Sequence, residues 1–140
     1  GTKIKLIIRG ICCLISGKKK LSENIDGISI VDRFLEHARV YYFYHKGQKK
    51  IYLSSADWMT RNLHFRIETA FPIYSEMLKN EIIKVLNFQL SDNTKARSLN
   101  FRQVNEYINP TSGRRLRSQI STYKYFKKKN YGDESAGEKK

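Results

Sequence analysis

Residues 40–54 read as two strands folded back on one another, so at least part of this chain's core must rest on a β-sheet. Val40-Tyr41-Tyr42-Phe43-Tyr44 is a β-branched and aromatic run, His45-Lys46-Gly47-Gln48 is a turn, and Lys50 to Ser54 is the returning run. The remaining periodicities supply partners for the hairpin. Lys3 to Arg9 alternates, with Ile4, Leu6 and Ile8 on one face, which predicts a partly buried strand. Arg66 to Ile73 predicts a further strand, with Ile67, Thr69, Phe71 and Ile73 on one side and Pro72 at its end or at a sheet edge. Val31, Phe34, Leu35 and Ala38 recur at helical steps after Ser29 as N-cap with Asp32 three residues on, which predicts a helix with His37 in its last turn. A second helix is predicted after Ser75, with an apolar stripe of Leu78, Ile82, Val85, Leu86 and Leu90 that should pack on the sheet. Together these indicate an α/β fold, a mixed β-sheet flanked by helices.

The 140 residues suit one domain and can bury a core without disulfides or metal. Lys+Arg 27 against Asp+Glu 13 leaves +14, which points to a polyanionic partner: nucleic acid, an acidic membrane or phosphate chains. Thr111 to Tyr131 holds Arg114, Arg115, Arg117, Lys124, Lys127, Lys128 and Lys129 and no acid, so +7 of the +14 lies there. Leu116, Ile120, Tyr123 and Phe126 fall at helical steps within it, predicting a basic amphipathic helix from Arg114 to Phe126 with a frayed, disordered tail after Asn130. No apolar run nears the roughly 20 residues of a membrane-spanning helix, so the chain reads as soluble. Its opening at Gly1, straight into a strand pattern, looks like a cut through a longer polypeptide. Cys12 and Cys13 are adjacent, which disfavours a mutual disulfide, and with His37, His45 and His64 they match no zinc-site spacing. Both read as reduced packing residues.

Arg9 ends the first strand before Gly10, and ligands of open α/β sheets sit outside such strand ends. A guanidinium there suits a phosphate held through two parallel hydrogen bonds, against the plainer reading of a surface ion pair. His37, at the predicted helix C-terminus beside Arg39, would be held protonated by the helix dipole and could act on a phosphate oxygen, or merely cap free carbonyls. Ser54, Ser55 and Asp57 form a polar loop at a strand end, either a hydrogen-bonding floor or a plain connection. Tyr41, Tyr42 and Tyr44 read as sheet packing rather than a base-stacking platform, and His45 and His64 as turn and surface residues.

Four blocks carry a family resemblance: Ile7-Ile8-Arg9-Gly10-Ile11-Cys12-Cys13-Leu14, Leu21-Ser22-Glu23-Asn24-Ile25, Ser29-Ile30-Val31-Asp32-Arg33-Phe34-Leu35-Glu36-His37, and Tyr52-Leu53-Ser54-Ser55-Ala56-Asp57-Trp58-Met59-Thr60-Arg61-Asn62. In order and spacing they resemble the C-terminal catalytic domain of bacterial polyphosphate kinase. The likeness runs from about Thr2 to Leu99 and resumes at Gly113-Arg114-Arg115-Leu116-Arg117-Ser118-Gln119. It implies a phospholipase D-like half over residues 1–110, to which the charge and spacing add a basic C-terminal helix over 111–130 packed on the same domain and a disordered tail over 131–140.

The resemblance also implies the chemistry: reversible transfer of the γ-phosphoryl of ATP onto inorganic polyphosphate through a phosphohistidine that lies in an upstream domain, with Mg²⁺ whose ligands are upstream too. His37 would be the second, catalytic histidine, and Arg9, His37 and Arg61 would hold nucleotide and phosphate. Ser54, Ser55 and Asp57 are similar to the polar loop after the phospholipase D motif, while Arg39 stands where that motif has lysine. No metal ligand is assigned within this chain. The implied partners are ATP/ADP, polyphosphate, the upstream domains of the same polypeptide and further copies in a homo-oligomer, with nucleic acid bound only nonspecifically. The implied location is cytoplasmic, with peripheral contact at the inner membrane left open. The fragment alone would be inactive. The alternative from another class is a non-enzymatic nucleic-acid or polyanion-binding module using the Arg114 to Lys129 segment.

Overall fold

The computed structural model describes residues 1–102, 104–109 and 113–132. Its chain forms two compact units: one runs from Gly1 to Leu35 and resumes at Val85, and the other is Glu36–Lys84.

The first unit is built on a mixed three-stranded sheet. Strand β1 (Ile4–Ile7) pairs in parallel with β2 (Ile25–Ile30), Ile4 opposite Ile25 and Ile7 opposite Ile28. The other edge of β2 takes an antiparallel strand from far along the chain, β6 (Ala96–Ser98), with Ile30 opposite Ala96; these two side chains are the most buried apolar groups of the unit. Gly27 is required at the middle of β2. A Cβ there would stand 3.2 Å from the Leu99 Cβ and 3.3 Å from the Ser16 Oγ, tighter than ordinary packing allows. The loop from Ser16 closes through Ser22 N–H to the Lys18 carbonyl at 2.8 Å. Helix α3 (Ser118–Tyr131) completes the unit.

The second unit holds the expected hairpin. Strands β3 (Arg39–His45) and β4 (Gln48–Ser54) pair antiparallel, with Lys46 (φ 46°) and Gly47 (φ 81°) both left-handed at the turn, the backbone that a two-residue hairpin needs. Strand β5 (Ala70–Ile73) adds to the far side of β4 as an edge strand, where Pro72 is tolerated. Ile51, 1% exposed and flanked by Tyr42 and Ile73, is the centre of this sheet. A short helix α1 (Thr60–Phe65) fills the β4–β5 connection, and α2 (Glu76–Leu90) follows β5.

Several expectations are corrected. Residues 31–38 form no helix: Ser29 and Ile30 pair with Arg97 and Ala96, and Val31, Phe34 and Leu35 remain exposed. Sheet pairing overrides the 3.6 periodicity. The expected α/β fold with a mixed sheet forms, but its strands divide into two three-stranded sheets, because the three residues of β6 claim β2 while the hairpin pairs with β5. The strand expected over 66–73 forms only at Ala70–Ile73, with Ile67 fully exposed. The basic helix begins at Ser118 rather than Arg114 and runs through Tyr131. Pro110 to Ser112 and the tail from 133 lie outside the described residues. Tyr42, Phe43 and Tyr44 are exposed instead of packed, and Cys13 is exposed beside a half-buried Cys12, both as free thiols.

Candidate functional site

The register of the hairpin assembles the site. Arg39 opens β3 directly opposite Ser54, the last residue of β4, so the polar loop Ser54–Asp57 begins beside the Arg39 side chain. Arg39 Nε donates to Asp57 Oδ1 at 2.9 Å, and its two terminal nitrogens turn to the residue two positions back. Nη1 lies 3.0 Å from His37 Nδ1 and 3.2 Å from the His37 carbonyl, and Nη2 lies 3.3 Å from His37 Nε2.

A guanidinium can only donate, so a ring nitrogen bonded to it accepts and carries no proton. Both ring nitrogens of the exposed His37 lie within reach of the guanidinium, so these contacts select neither tautomer. The expected helix-end setting of His37 is corrected: residues 31–38 form no helix, so no helix dipole ends at His37. Asp57 in turn holds Arg39 further into its charged form, first by the direct hydrogen bond and then by charge.

Beneath this row lies a second layer that fixes the loop. Ser55 N–H donates to the Thr69 carbonyl and Thr69 N–H to Ser55 Oγ, both at 3.0 Å, while Ser54 Oγ reaches the Thr69 carbonyl at 3.1 Å. Ala56 N–H donates to Ser54 Oγ, which turns the loop toward Asp57. Ser55 Oγ also donates to Glu68, whose other oxygen accepts from Asn62 Nδ2 at 2.7 Å. These two hydrogen bonds, with Arg66 and Arg39 nearby, hold the Glu68 carboxyl below the usual carboxylate range. Trp58 stacks on Tyr41 with ring centres 5.9 Å apart and donates its indole N–H to the Tyr41 hydroxyl at 2.8 Å.

The structure thus brings His37 and Asp57 together through Arg39, ties Ser54 and Ser55 to a neighbouring set with Glu68 and Asn62, and so adds Arg39, Asn62 and Glu68, which sequence reasoning did not assign. The signal for Arg39 was its place two residues after His37; nothing in the spacing marked Glu68. Arg61 is exposed on α1 and joins no ion pair among the described residues. Arg9 is exposed two residues beyond β1, likewise without an ion pair among them, but it belongs to the first unit. Both guanidiniums are available to an anion.

Of the basic C-terminal block, Arg117 is not available. It grips the Asp32 carboxylate with Nε to Oδ2 at 2.7 Å and Nη2 to Oδ1 at 2.6 Å. The donor set does not fit Mg²⁺, which takes oxygen ligands: the carboxylates of Asp57 and Glu68 are engaged by Arg39, Ser55 and Asn62. Among the described residues no group of three His, Cys, Asp or Glu could hold a metal ion. No metal-dependent step is therefore derived from this chain.

Comparison with known proteins gives the family. The family described as polyphosphate kinase C-terminal domain 2 matches residues 1–119. The polyphosphate kinase of Vibrio cholerae is 47% identical over 91% of the chain, and that of Halalkalibacterium halodurans 50% identical over 88%, in each case across 18% of the relative's length. The crystal structure of polyphosphate kinase from Porphyromonas gingivalis superposes with a TM-score of 0.87 at 42% identity, over 91% of this chain and 19% of that one. The chain therefore spans about a fifth of the length of the relatives it matches. It belongs to the polyphosphate kinase family, as the second of its C-terminal domains.

Proposed function

We propose that the protein containing this chain transfers the γ-phosphoryl of ATP reversibly onto inorganic polyphosphate, through a phosphohistidine carried outside this chain, and that this chain supplies the group that stabilises the phosphoryl in flight. The observation that carries the reading is the exposed His37 held by Arg39, itself held by Asp57. A phosphoryl group in transfer spreads negative charge over its oxygens, so catalysis depends on donors already aimed at them. A ring N–H of the exposed His37, held by Arg39, is the donor we assign to those oxygens.

Arg9 and Arg61, both exposed and unpaired among the described residues, are the cations we assign to the nucleotide and polyphosphate oxygens. In the second half-reaction a terminal phosphate oxygen of the polymer forms the new P–O bond as the P–N bond of the phosphohistidine breaks, returning a neutral imidazole. Mg²⁺, bound through groups outside this chain, would neutralise phosphate charge. The isolated chain, lacking the nucleophile, has no turnover.

The test is His37→Ala in the full-length protein. Loss of one such donor lowers kcat by roughly 10²-fold or more, with the KM for ATP moving far less. Near-normal turnover overturns the assignment.

A further inference from the structure

Arg33 stands between two anchored residues of the first unit, yet its own guanidinium joins no ion pair among the described residues. We propose that Arg33 is an anion-binding residue which, with Arg9, receives the phosphate oxygens of ATP or of inorganic polyphosphate at one end of the first sheet.

The backbone at Arg33 is held from both sides. The Asp32 side chain, 2% exposed, receives both Arg117 bonds, and its Oδ1 also accepts the Arg33 N–H at 2.8 Å. Gln119 serves Phe34 as a neighbouring strand would: its Oε1 accepts the Phe34 N–H at 3.0 Å and its Nε2 donates to the Phe34 carbonyl at 2.8 Å. Arg33 itself is exposed, with its guanidinium carbon 5.5 Å from the centre of the Phe34 ring. The carboxylate beside it is taken by Arg117, so Asp32 does not neutralise it. What remains is a fork of donors suited to phosphate, on a backbone already ordered, which lowers the entropy cost of binding.

The sheet sets Arg33 near Arg9. Strands β1 and β2 run parallel, and Ile8 N–H still donates to the Ile28 carbonyl at 2.8 Å. Arg9 follows the end of β1 by two residues and Arg33 the end of β2 by three. Adjacent strands lie about 4.8 Å apart and three residues span at most about 10 Å, so one chain of linked phosphates can reach both side chains. The carboxyl ends of parallel strands are where ligands of α/β sheets sit.

This inference rests on the proposed phosphoryl transfer, and the experiment separates the two. Arg33→Ala and Arg33→Glu are made in the full-length protein. The Kd for ATP and for long-chain polyphosphate is measured at one fixed salt concentration, with turnover and melting temperature read on the same preparations. Both variants keep the Arg33 N–H and leave the Arg117 and Gln119 bonds untouched, so both should melt with the wild type. Binding through charge predicts that Kd for at least one probe rises about tenfold in Arg33→Ala and further in Arg33→Glu, where like charge repels the anion. A rise for polyphosphate alone assigns Arg33 to the polymer, and a rise for ATP alone assigns it to the nucleotide.

Unchanged Kd for both probes overturns the proposal, while wild-type turnover leaves the functional reading standing. Equal weakening in the two variants overturns it as well, since packing on Phe34 rather than charge would then be what is lost. Wild-type protein that binds polyphosphate through Arg33 yet transfers no phosphoryl from ATP refutes the functional reading and leaves the anion site in place.

Discussion

Asp92 accepts four backbone N–H groups, and replacing it with asparagine tests whether it ties β6 to the start of α3. One oxygen accepts the N–H groups of Thr94 at 2.9 Å, Lys95 at 2.7 Å and Ala96 at 3.2 Å; the other accepts Ser118 N–H at 2.6 Å. Asparagine keeps a carbonyl for the first set but turns an NH₂ toward Ser118 N–H. A hydrogen bond to a charged group contributes about 1.5–3 kcal/mol, and a buried N–H left without a partner costs about 1–3 kcal/mol. Allowing for partial relaxation and for weaker bonds from the three remaining donors, Asp92→Asn costs about 3–4 kcal/mol. That is a large part of the roughly 5–15 kcal/mol of a typical domain.

Amide hydrogen exchange in the full-length protein reads this locally. Peptides covering 94–98 and 118–121 should both lose about 10²-fold of protection, at 1.4 kcal/mol per tenfold. If α3 keeps its protection while only 94–98 loosens, the Ser118 bond does not hold the helix start, and the reasoning fails.

Acid should destabilise the fold through three carboxylates. Arg117 holds the Asp32 carboxyl below its ordinary value against opposing burial; burial pushes Asp92 up, but the N–H donors of Lys95, Ser118 and Thr94 outweigh it; Ser55 and Asn62 hold Glu68 down. Groups with depressed folded values contribute stability that is full above their unfolded values, about pH 4, and lost as pH falls through the folded ones. Melting temperatures should therefore be flat across these groups' range from about pH 5.5 to 7 and fall below about pH 4; a fall centred near pH 6 would contradict the assignment. Binding of long-chain polyphosphate should weaken steeply with salt, as counterion release requires at a net charge of +14. Constant affinity from low to physiological salt excludes that mechanism.

The hairpin was legible because its information is local: β-branched and aromatic residues flank a Lys46-Gly47 turn that the backbone bears out at positive φ. The segment after Ser29 was not, because what decides it is distant. Ser29 and Ile30 are claimed by Arg97 and Ala96, and Asp32 and Phe34 by Arg117 and Gln119, some 65 to 85 positions away. A three-residue strand leaves no periodicity, and a glutamine that stands in for a strand looks like any other glutamine.

At the site, His37 and the Ser54–Asp57 loop were visible through family resemblance and strand-end placement. The helix dipole expected at His37 depended on a helix that does not form. Glu68 stayed hidden because its bond to Ser55 follows from the β4–β5 pairing, with Ser54 opposite Ala70, which no short-range pattern reports.

The central claim is that this chain stabilises the transferring phosphoryl and does not carry it. The full-length protein, incubated with γ-labelled ATP and Mg²⁺, quenched in base and digested, should show its acid-labile phosphate on a histidine outside these 140 residues, with none on the peptide containing His37. Stoichiometric acid-labile label on His37 would contradict the account.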